Sequence, residues 1–458
     1  MRDVSRLESD KIGSLLLRFT VPAMISLLFH ALYNVVDRIF IGQVVGPLGL
    51  AAVSVSFPIM MIQFSAPILL GTGACASASI LLGEKRRGRA ERVLGNLLTL
   101  LLAVSLVLTV AGLLLLEPLL LRVGANRQIL PYATTYLRII LIGTVFPTFG
   151  FGLNNMIRGE GNPRTAMEMI IAGTVLNLIL DAVFILALGW GIAGAALATV
   201  CAQFLSAAWG LSYYLFGTSH LKIRTAFMRL DPAVVGRILS IGFPPFIIHL
   251  SVTLRMIIFN RQLEHYGGEI AVAALGIIFA VFTFIIMPIF AIADGMQPIA
   301  GYNVGARRID RAHRTLLLSC GAATAVTFLA FLVMQLFPGP IVRLFSGGDP
   351  ALTAATVRGL RIVVLLAPVI GVQIVGSRYF QAVGKAFLAT LLGVTRQLIL
   401  VIPLALVLPL WFGVDGIWAA APISDGLSVL ITLVFLGREL RRPTVSTASP
   451  SGITSASP

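Results

Sequence analysis

The chain carries very little charge. Only 12% of its 458 residues are Asp, Glu, Lys or Arg, whereas 57% are hydrophobic and the mean hydropathy is +0.95. A soluble protein of this size needs many more charged side chains to cover its surface, so the scarcity excludes a soluble fold and indicates an integral membrane protein. Residues 39–83 contain no charged residue at all, a run too long for a single membrane span. We expect no cleaved signal peptide, because the first apolar segment runs past about twenty residues.

Cysteines and catalytic motifs are also scarce. The three cysteines, Cys75, Cys201 and Cys320, stand alone within apolar segments, which excludes a disulfide framework and a cysteine metal cluster. The sequence has no His-Glu-x-x-His, no Gly-x-Ser-x-Gly and no complete phosphate-binding loop. We therefore expect neither an enzyme nor an ATP-driven pump, and no cofactor.

The basic residues are unevenly placed. The net charge is +15, and Lys and Arg concentrate in the N-terminal segment, in residues 217–237, in the C-terminal tail and in short connections such as 85–89 and 307–311. The alternate connections carry few of them. This is the positive-inside bias, which predicts cytoplasmic termini and a lipid bilayer as the partner. Loops this short cannot form a folded basic face, so we expect no nucleic-acid partner.

The sequence repeats itself faintly. Residues 13–216 reappear as residues 235–437 at a nearly constant offset of 222, so that Pro22 matches Pro244. Each copy has six apolar segments, which must be helices because a lipid-exposed backbone has to satisfy its own hydrogen bonds. Six spans per copy predict an all-α integral membrane fold of two parallel-repeat lobes around a central cavity. The twelve predicted spans lie near 15–41, 52–82, 93–116, 132–157, 165–189, 191–216, 238–262, 270–300, 315–337, 358–382, 387–410 and 414–437.

The domain organisation follows from these spans. We predict a cytoplasmic N-terminal segment (1–12), a first lobe (13–216), a cytoplasmic linker (217–237), a second lobe (238–437) and a cytoplasmic tail (438–458). The tail is rich in Ser, Thr and Pro, and we expect it to be disordered. The protein is expected to be a monomer.

The polar residues break the repeat. Asp37, Asn177, Asp181 and Thr199 lie in apolar segments of the first copy, and their counterparts in the second copy are Phe259, Ile399, Pro403 and Ala421. Ionisable groups within a span cost about 2.5–3.5 kcal/mol at its centre and are functional by default. Asn177 and Asp181 are four residues apart and share a helix face, as do Tyr33 and Asp37. Carboxylates among amide and hydroxyl groups can take up a proton or coordinate a small cation.

Structural roles for the same residues stay open at this point. Asp37 could pair with Arg38 at the membrane interface, and Asn177 with Asp181 could join helices by hydrogen bonds. Asp294 could cap a helix, meet a basic loop or face the cavity, and Asp425 could make a lobe-packing hydrogen bond.

Four segments carry a resemblance to a known family. They are Leu-Tyr-Asn-Val-Val-Asp-Arg-Ile-Phe-Ile-Gly (32–42), Arg-Gly-Glu-Gly-Asn-Pro (158–163), Gln-Pro-Ile-Ala-Gly-Tyr-Asn-Val-Gly-Ala (297–306) and Gln-Ala-Val-Gly-Lys (381–385). With its six-plus-six spans, the chain resembles a bacterial member of the multidrug and toxic compound extrusion (MATE) family over residues 13–437. The resemblance implies two lobes in a V-shaped arrangement in the bacterial inner membrane. It also implies export of cationic or amphipathic small molecules by alternating access, in exchange for protons or sodium ions.

The resemblance further implies which residues act. Members with a cation site in the first lobe use an aspartate in the first helix, an asparagine and an aspartate four apart in the fifth, and a threonine in the sixth. The matching residues, which would couple transport to protons or bind sodium, are Asp37, Asn177, Asp181 and Thr199. Pro22 matches the proline at which the first helix bends. The seventh span lacks the glutamate of another branch of the family, which favours the first-lobe site. The expected lining of the substrate pocket is Tyr33, Asn34, Asn154, Arg255 and Met256.

Two other functions compete with this one. A flippase for a lipid-linked oligosaccharide or peptidoglycan precursor would share the parallel-lobe plan, but its cavity would be strongly cationic. Here only Arg255, Arg396 and His249 are clear candidates for such a lining. A membrane-embedded enzyme is a different class, and it would need the catalytic motifs that the sequence lacks.

Overall fold

The computed structural model describes residues 7–217, 219–345 and 349–441, apart from the side chains of Asn34 and Val35. Within these residues the secondary structure is helical, and no β-strand is present. Residues 442–458 of the predicted tail lie outside the described residues, so the expected disorder stays a prediction.

The first lobe contains six membrane helices. They are α1 (Ile12–Val44), α2 (Pro47–Gly83), α3 (Arg87–Leu114), α4 in two arms (Leu130–Ile142 and Val145–Gly159), α5 (Pro163–Ala187) and α6 (Gly191–Leu215). A short helix, Leu116–Val123, lies between α3 and α4. In the linker, Thr225–Phe227 forms one 3-10 turn.

The second lobe repeats this order. Its helices are α7 (232–267), α8 (268–305), α9 (Ile309–Leu336), α10 in two arms (Pro350–Val363 and Ala367–Ala382), α11 (Ala386–Val407) and α12 (Pro409–Leu440). The short helix Pro338–Arg343 lies between α9 and α10.

Helices α7 and α8 form one continuous run, Pro232–Gly305, that turns at Gly268. An unbroken helix of this length would extend about 110 Å, whereas the hydrocarbon core is about 30 Å thick. At Gly268 the backbone has φ 64° and ψ −163°, a conformation open to glycine, and the run divides there into two spans. Nine long apolar helices and two bent pairs are present in the described residues, and this division brings the spans to twelve. The predicted fold class is confirmed.

The structure divides two of the predicted spans and moves several boundaries. The arms of α4 meet at 52° and those of α10 at 55°. Pro147 and Pro368 lie in the first turns of the second arms and cannot donate the backbone hydrogen bond that would continue the first arms. Helix α7 starts at Pro232, six residues before the predicted span, because Asp231 caps it by accepting from the backbone N–H of Ala233 at 3.0 Å. Helix α1 is longer than its predicted span by three residues at each end. Helix α12 continues to Leu440, where an ion pair between Lys385 and Glu439 supports its last turn.

The repeat is visible in the backbone as well as in the sequence. Gly46 and Gly268, which are 222 residues apart, have φ/ψ of 79°/−163° and 64°/−163°. At the same offset, Lys85 and Arg307 both have φ 59°, and Gly191 and Gly413 have φ 54° and 55°. The two lobes therefore turn between helices in the same way.

The lobes meet along one side of the molecule, which we call the linker face. It carries the connections 84–86, 160–162, 306–308 and 383–385 and the described linker residues 219–231. Residues 70–83 of α2 are all buried, and a β carbon on Gly83 would collide with the carbonyl oxygen of Tyr302. Gly305 approaches the carbonyl of Ile80 in the same way, and Gly242 that of Leu69. The absence of side chains lets the backbones of the two lobes touch.

Away from the linker face the lobes do not share a core. The apolar core of the first lobe at the linker face includes Ile238, Ile299 and Tyr302 from the second lobe. A separate core, which includes Ile41, Ala52 and Tyr136, draws only on residues of the first lobe in the described part of the chain. The lobes are thus joined at one end and independent at the other, in agreement with a V-shaped arrangement.

The segment Arg158–Pro163 ties the linker to the first lobe. Glu160 is 1% exposed, and its carboxylate accepts hydrogen bonds from the Ser219 hydroxyl at 2.8 and 2.9 Å and from the backbone N–H groups of His220 and Leu221. Asn162 caps α5 by accepting from the backbone N–H of Thr165 at 3.2 Å. This segment is therefore a structural anchor at the linker face.

Asp294 of α8 joins the lobes through charge. Its carboxylate lies 3.4 Å from the Arg158 guanidinium of the first lobe and 4.0 Å from that of Arg378 in the second. Of the roles left open for Asp294, the structure supports a basic partner.

Candidate functional site

The four residues predicted to couple transport to a cation lie on three helices of the first lobe. Asp37 is on α1, Asn177 and Asp181 are on α5, and Thr199 is on α6. All are buried: Asp181 is 0% exposed, Asn177 and Thr199 are 1% exposed, and Asp37 is 6% exposed.

Direct contacts bring these helices together. The Tyr33 hydroxyl of α1 lies 3.2 Å from the Thr199 hydroxyl of α6, within hydrogen-bonding distance. The carboxylates of Asp37 and Asp181 are close enough for their charges to repel each other. Both are also within electrostatic reach of the Tyr33 hydroxyl. Asn177 lies one turn before Asp181 on the same face of α5.

Most of the polar atoms in this group lack a hydrogen bond. Within the described residues, neither carboxylate oxygen of Asp181 has a hydrogen-bond partner, and neither side-chain amide atom of Asn177 has one. One carboxylate oxygen of Asp37 also lacks a partner. Buried polar groups are satisfied in the large majority of cases, and each exception calls for a water, an ion or a functional role. Buried carboxylate oxygens that have no donor among the described residues are costly when charged, so this site favours the arrival of a proton or a cation.

The backbone of α5 is irregular next to these residues. A π-helical turn, Ala182–Ala187, begins immediately after Asp181. Such wide turns are frequent at functional sites, because they change the direction of side chains within a helix.

Arg38 does not neutralise Asp37 by direct pairing. Its guanidinium lies over the ring of Phe57 on α2, 5.9 Å from the ring centroid. Among the described residues, no ion pair within 4 Å involves Asp37. The interfacial pair considered above is therefore not formed.

The structure adds one residue to this group. Tyr136, on the first arm of α4, is 2% exposed, and its hydroxyl is within electrostatic reach of Tyr33, Asp37 and Asp181. Sequence reasoning missed it because a single tyrosine in an apolar span carries no spacing signal. The packing of the first arm of α4 against α6 and α2 brings it here.

The other predicted residues are spread more widely. The Asn154 amide of α4 donates to the carbonyl of Ala166 at 2.6 Å, three turns of α5 before Asn177. Pro22 lies within α1, which is continuous there, and the Ser26 hydroxyl donates to its carbonyl at 2.8 Å. The side chain of Asn34 lies outside the described part of the structure. Arg255 and Met256 are half-buried on α7, and Arg255 belongs to a separate group in the second lobe.

The available ligand atoms are oxygens. No group of three or more His, Cys, Asp or Glu side chains occurs in the described ranges, so a transition-metal site is not indicated there. Two carboxylates, an amide and a hydroxyl are a donor set that suits a hard cation or a proton.

This arrangement can be compared with known proteins. The family model described as MatE matches the chain twice, over residues 22–183 and 244–407, which together make up more than half of it. The chain belongs to the MatE family. The two matches begin at Pro22 and Pro244, the same offset of 222 that relates the repeats. Family membership makes it a multi-pass membrane transporter of the MATE type.

Relatives agree along nearly the whole chain. The multidrug export protein MepA of Staphylococcus aureus (strain MRSA252) is 24% identical over 443 residues, 96% of this chain and 97% of that protein. The FAD transporter of Shewanella oneidensis is 27% identical over 459 residues, 98% of this chain and 99% of that protein.

Solved structures of MATE transporters have the same fold. The multidrug transporter DinF-BH in complex with R6G is 40% identical, with a TM-score of 0.86, and the match covers 93% of this chain and 95% of that one. A MATE structure in a bent conformation has a TM-score of 0.91 at 23% identity, and it covers 96% of this chain and 98% of that one. At that identity the second likeness concerns the fold alone.

Proposed function

We propose that this MATE transporter is an antiporter that exports cationic or amphipathic compounds and draws energy from protons or sodium ions entering the cell. The observation that carries the proposal is the group of buried carboxylate oxygens on α1 and α5 that lack a hydrogen-bond partner in the described structure. The names of MepA and DinF-BH support a multidrug substrate range. The comparisons do not favour the flippase considered above.

The orientation follows from charge. The linker face carries the Lys- and Arg-rich connections, which the positive-inside bias assigns to the cytoplasm. On this assignment the closed side of the molecule faces the cytoplasm, and the separated ends of the lobes face outward. The expected location is the bacterial inner membrane.

The cycle rests on the charge of Asp37 and Asp181. A proton or sodium ion that enters from outside removes the repulsion between the two carboxylates and supplies the missing partner to their oxygens. The helices that carry them, α1 and α5, can then approach, and α1 can bend at Pro22, where one backbone hydrogen bond is missing. Both changes narrow the space in which a substrate would sit. Release of the cation inside restores the negative charge, which attracts a cationic substrate.

The energy suffices for export. A pH difference of one unit provides about 1.4 kcal/mol per proton, and 100 mV provides about 2.3 kcal/mol per charge moved. One or two protons per cycle can therefore sustain a substrate gradient of roughly a hundredfold.

The test uses purified protein in liposomes loaded with rhodamine 6G, with an imposed pH or sodium gradient. We expect gradient-driven dye movement in the wild type and its loss in Asp37→Asn and in Asp181→Asn. Glu168→Gln is the matched control, because Glu168 is an exposed carboxylate on the same helix as Asp181. Coupled export that survives both aspartate substitutions would contradict the proposal. Comparison of the two gradients decides which cation is used.

A further inference from the structure

The second lobe contains a buried charged group of its own. Arg396 of α11 and Asp425 of α12 are 7% and 8% exposed at their side chains, and the Arg396 Nε lies 2.6 Å from Asp425 Oδ1. The Ser424 hydroxyl donates to the Arg396 carbonyl at 2.9 Å, which fixes the two helices in this register. Arg255 of α7 is the third member, within electrostatic reach of both.

The charges in this group do not balance. Arg396 and Asp425 neutralise each other, which leaves the positive charge of Arg255. Within the described residues, Arg255 makes no hydrogen bond and no ion pair within 4 Å. A cation held inside a membrane protein without a counter-ion is costly, so an anion from outside the chain would complete the group.

A ligand can reach Arg255. Protein surrounds its guanidinium closely, yet the residue keeps part of its surface exposed. Tyr33 on α1 is the counterpart of Arg255, 222 residues earlier. Its hydroxyl is likewise closely surrounded by protein near the carboxylates of the first lobe, and the residue likewise keeps part of its surface exposed. Both side chains therefore line internal space that water can enter.

The backbone marks the same place. Arg396 lies in a π-helical turn, Thr395–Leu400, the second such turn in the described chain. The first adjoins Asp181 in the first lobe. The two are not repeat mates, because residues 222 positions before Thr395–Leu400 lie in the regular part of α5. Each lobe thus has a π-turn of its own beside its buried charged residue, as is frequent at functional sites.

We propose that Arg255, supported by the Arg396–Asp425 pair, binds the anionic group of a zwitterionic amphipathic substrate, namely its carboxylate. The inference rests on the proposed export function and narrows its substrate class. A guanidinium repels a purely cationic compound and binds a carboxylate through charge-assisted hydrogen bonds. The first lobe would then attract the positive end of the substrate, and the second lobe would hold the negative end.

Two dyes that differ in one group test this directly. Rhodamine 6G is an ethyl ester and a cation, and rhodamine 19 is its free acid and carries a carboxylate. Their affinities for the purified transporter are measured by fluorescence polarisation in a neutral detergent. We expect Arg255→Gln to weaken rhodamine 19 binding roughly ten- to a hundredfold, the loss of a hydrogen bond to a charged group, and rhodamine 6G binding less than about threefold.

Three controls make the result specific. Arg255→Lys keeps the charge and should retain most of the affinity for rhodamine 19. Arg261→Gln removes a positive charge from an exposed position on the same helix and should leave both dyes unaffected. Added phosphatidylglycerol should not compete with rhodamine 19, whereas competition would mean that a lipid headgroup occupies the site, contrary to the proposal.

The outcomes separate the two proposals. If Arg255→Gln weakens the binding of both dyes equally, or of neither, the carboxylate site is overturned and the proposed export function is not affected. A wild type that neither binds nor exports rhodamine 6G contradicts the proposed function and this inference with it. If Arg255→Gln does not fold, the wild type still decides, because millimolar benzoate should displace rhodamine 19 and not rhodamine 6G. Failure of benzoate to discriminate between the dyes would overturn the proposal.

Discussion

At the residue scale, the first lobe holds polar side chains that the fold leaves unsatisfied. Both amide atoms of Asn177 and both carboxylate oxygens of Asp181 are buried without partners in the described structure. Asn96, by contrast, is equally buried, and its amide bonds to the carbonyls of Arg92, Phe227 and Arg229. Asn96 therefore serves stability, whereas Asn177 is the residue that we propose is held for a ligand.

This contrast predicts opposite effects of the same substitution. Asn177→Leu should leave the melting temperature unchanged or raise it, because an apolar group of similar size replaces an unsatisfied one. Asn96→Leu should cost about 1–3 kcal/mol of unfolding free energy, because the backbone N–H of Asp231 and the carbonyls of Phe227 and Arg229 lose their partner on this side chain. Thermal unfolding in detergent measures both, and liposome export should be lost in Asn177→Leu. A clearly lower melting temperature for Asn177→Leu would mean that Asn177 is structural.

Glu160 gives a second prediction at this scale, one that depends on pH. Glu160→Ala should destabilise the protein by about 1–3 kcal/mol, because the Ser219 hydroxyl and the backbone N–H groups of His220 and Leu221 lose their hydrogen bonds to this carboxylate. Glu160→Gln keeps an acceptor oxygen and should cost less. Thermal unfolding of the two variants in detergent at neutral pH checks this order, and equal losses would contradict it.

The pH dependence follows from burial, which raises the pKa of Glu160 above its usual 4.5. The folded protein therefore binds a proton more readily than the unfolded chain does. The wild type should gain stability relative to Glu160→Gln as the pH falls through the folded pKa towards 4.5. Unfolding curves at several pH values check the sign, and a constant difference would contradict it.

At the scale of the helix, the sequence predicted the number of spans correctly, but it did not predict the shape of every span. The repeat predicted equivalent turns, and glycines stand at Gly46 and Gly268 because the backbone there needs positive φ. Several prolines, Pro147 and Pro368 among them, can each bend a helix by removing a backbone hydrogen bond. The sequence does not show which of them do so, because a proline can be tolerated in a membrane helix or can break it, and packing decides. Tyr136 was missed for the same reason, since its place beside Asp37 depends on how α4 packs and not on a motif.

Glycines at the lobe interface give the prediction at this scale. Gly242→Ala should weaken the contact between α7 and α2, because the added methyl group would collide with the carbonyl of Leu69. Overpacking of this kind costs about 1–3 kcal/mol, which thermal unfolding can detect. Gly236→Ala, six residues earlier on α7, has no heavy atom near the added methyl group. It should be neutral or stabilise the helix by up to about 1 kcal/mol. Equal behaviour of the two variants would show that the lobes do not pack this closely.

At the scale of the whole molecule, one backbone repeated twice carries two different chemistries. The first lobe buries the acids Asp37 and Asp181 among its membrane helices, whereas the second holds the half-buried Arg255 beside the buried pair of Arg396 and Asp425. The shared turns preserve the shape of each lobe, so the polar residues could diverge without a change of fold. Such a division suits a transporter in which one lobe responds to the coupling cation and both lobes meet the substrate.

Alternating access requires the lobes to separate at the linker face, and this requirement can be tested by locking them. A β carbon on Gly301 of α8 would lie 3.2 Å from the Ser79 β carbon of α2, close to the roughly 3.5–4.5 Å of a disulfide. In a background with Cys75, Cys201 and Cys320 replaced, the pair Ser79→Cys and Gly301→Cys should cross-link under oxidation. Export into or out of liposomes should then stop and return when the disulfide is reduced. Each single cysteine variant serves as a control for the substitution itself, and full export by cross-linked protein would mean that the lobes need not part on this side.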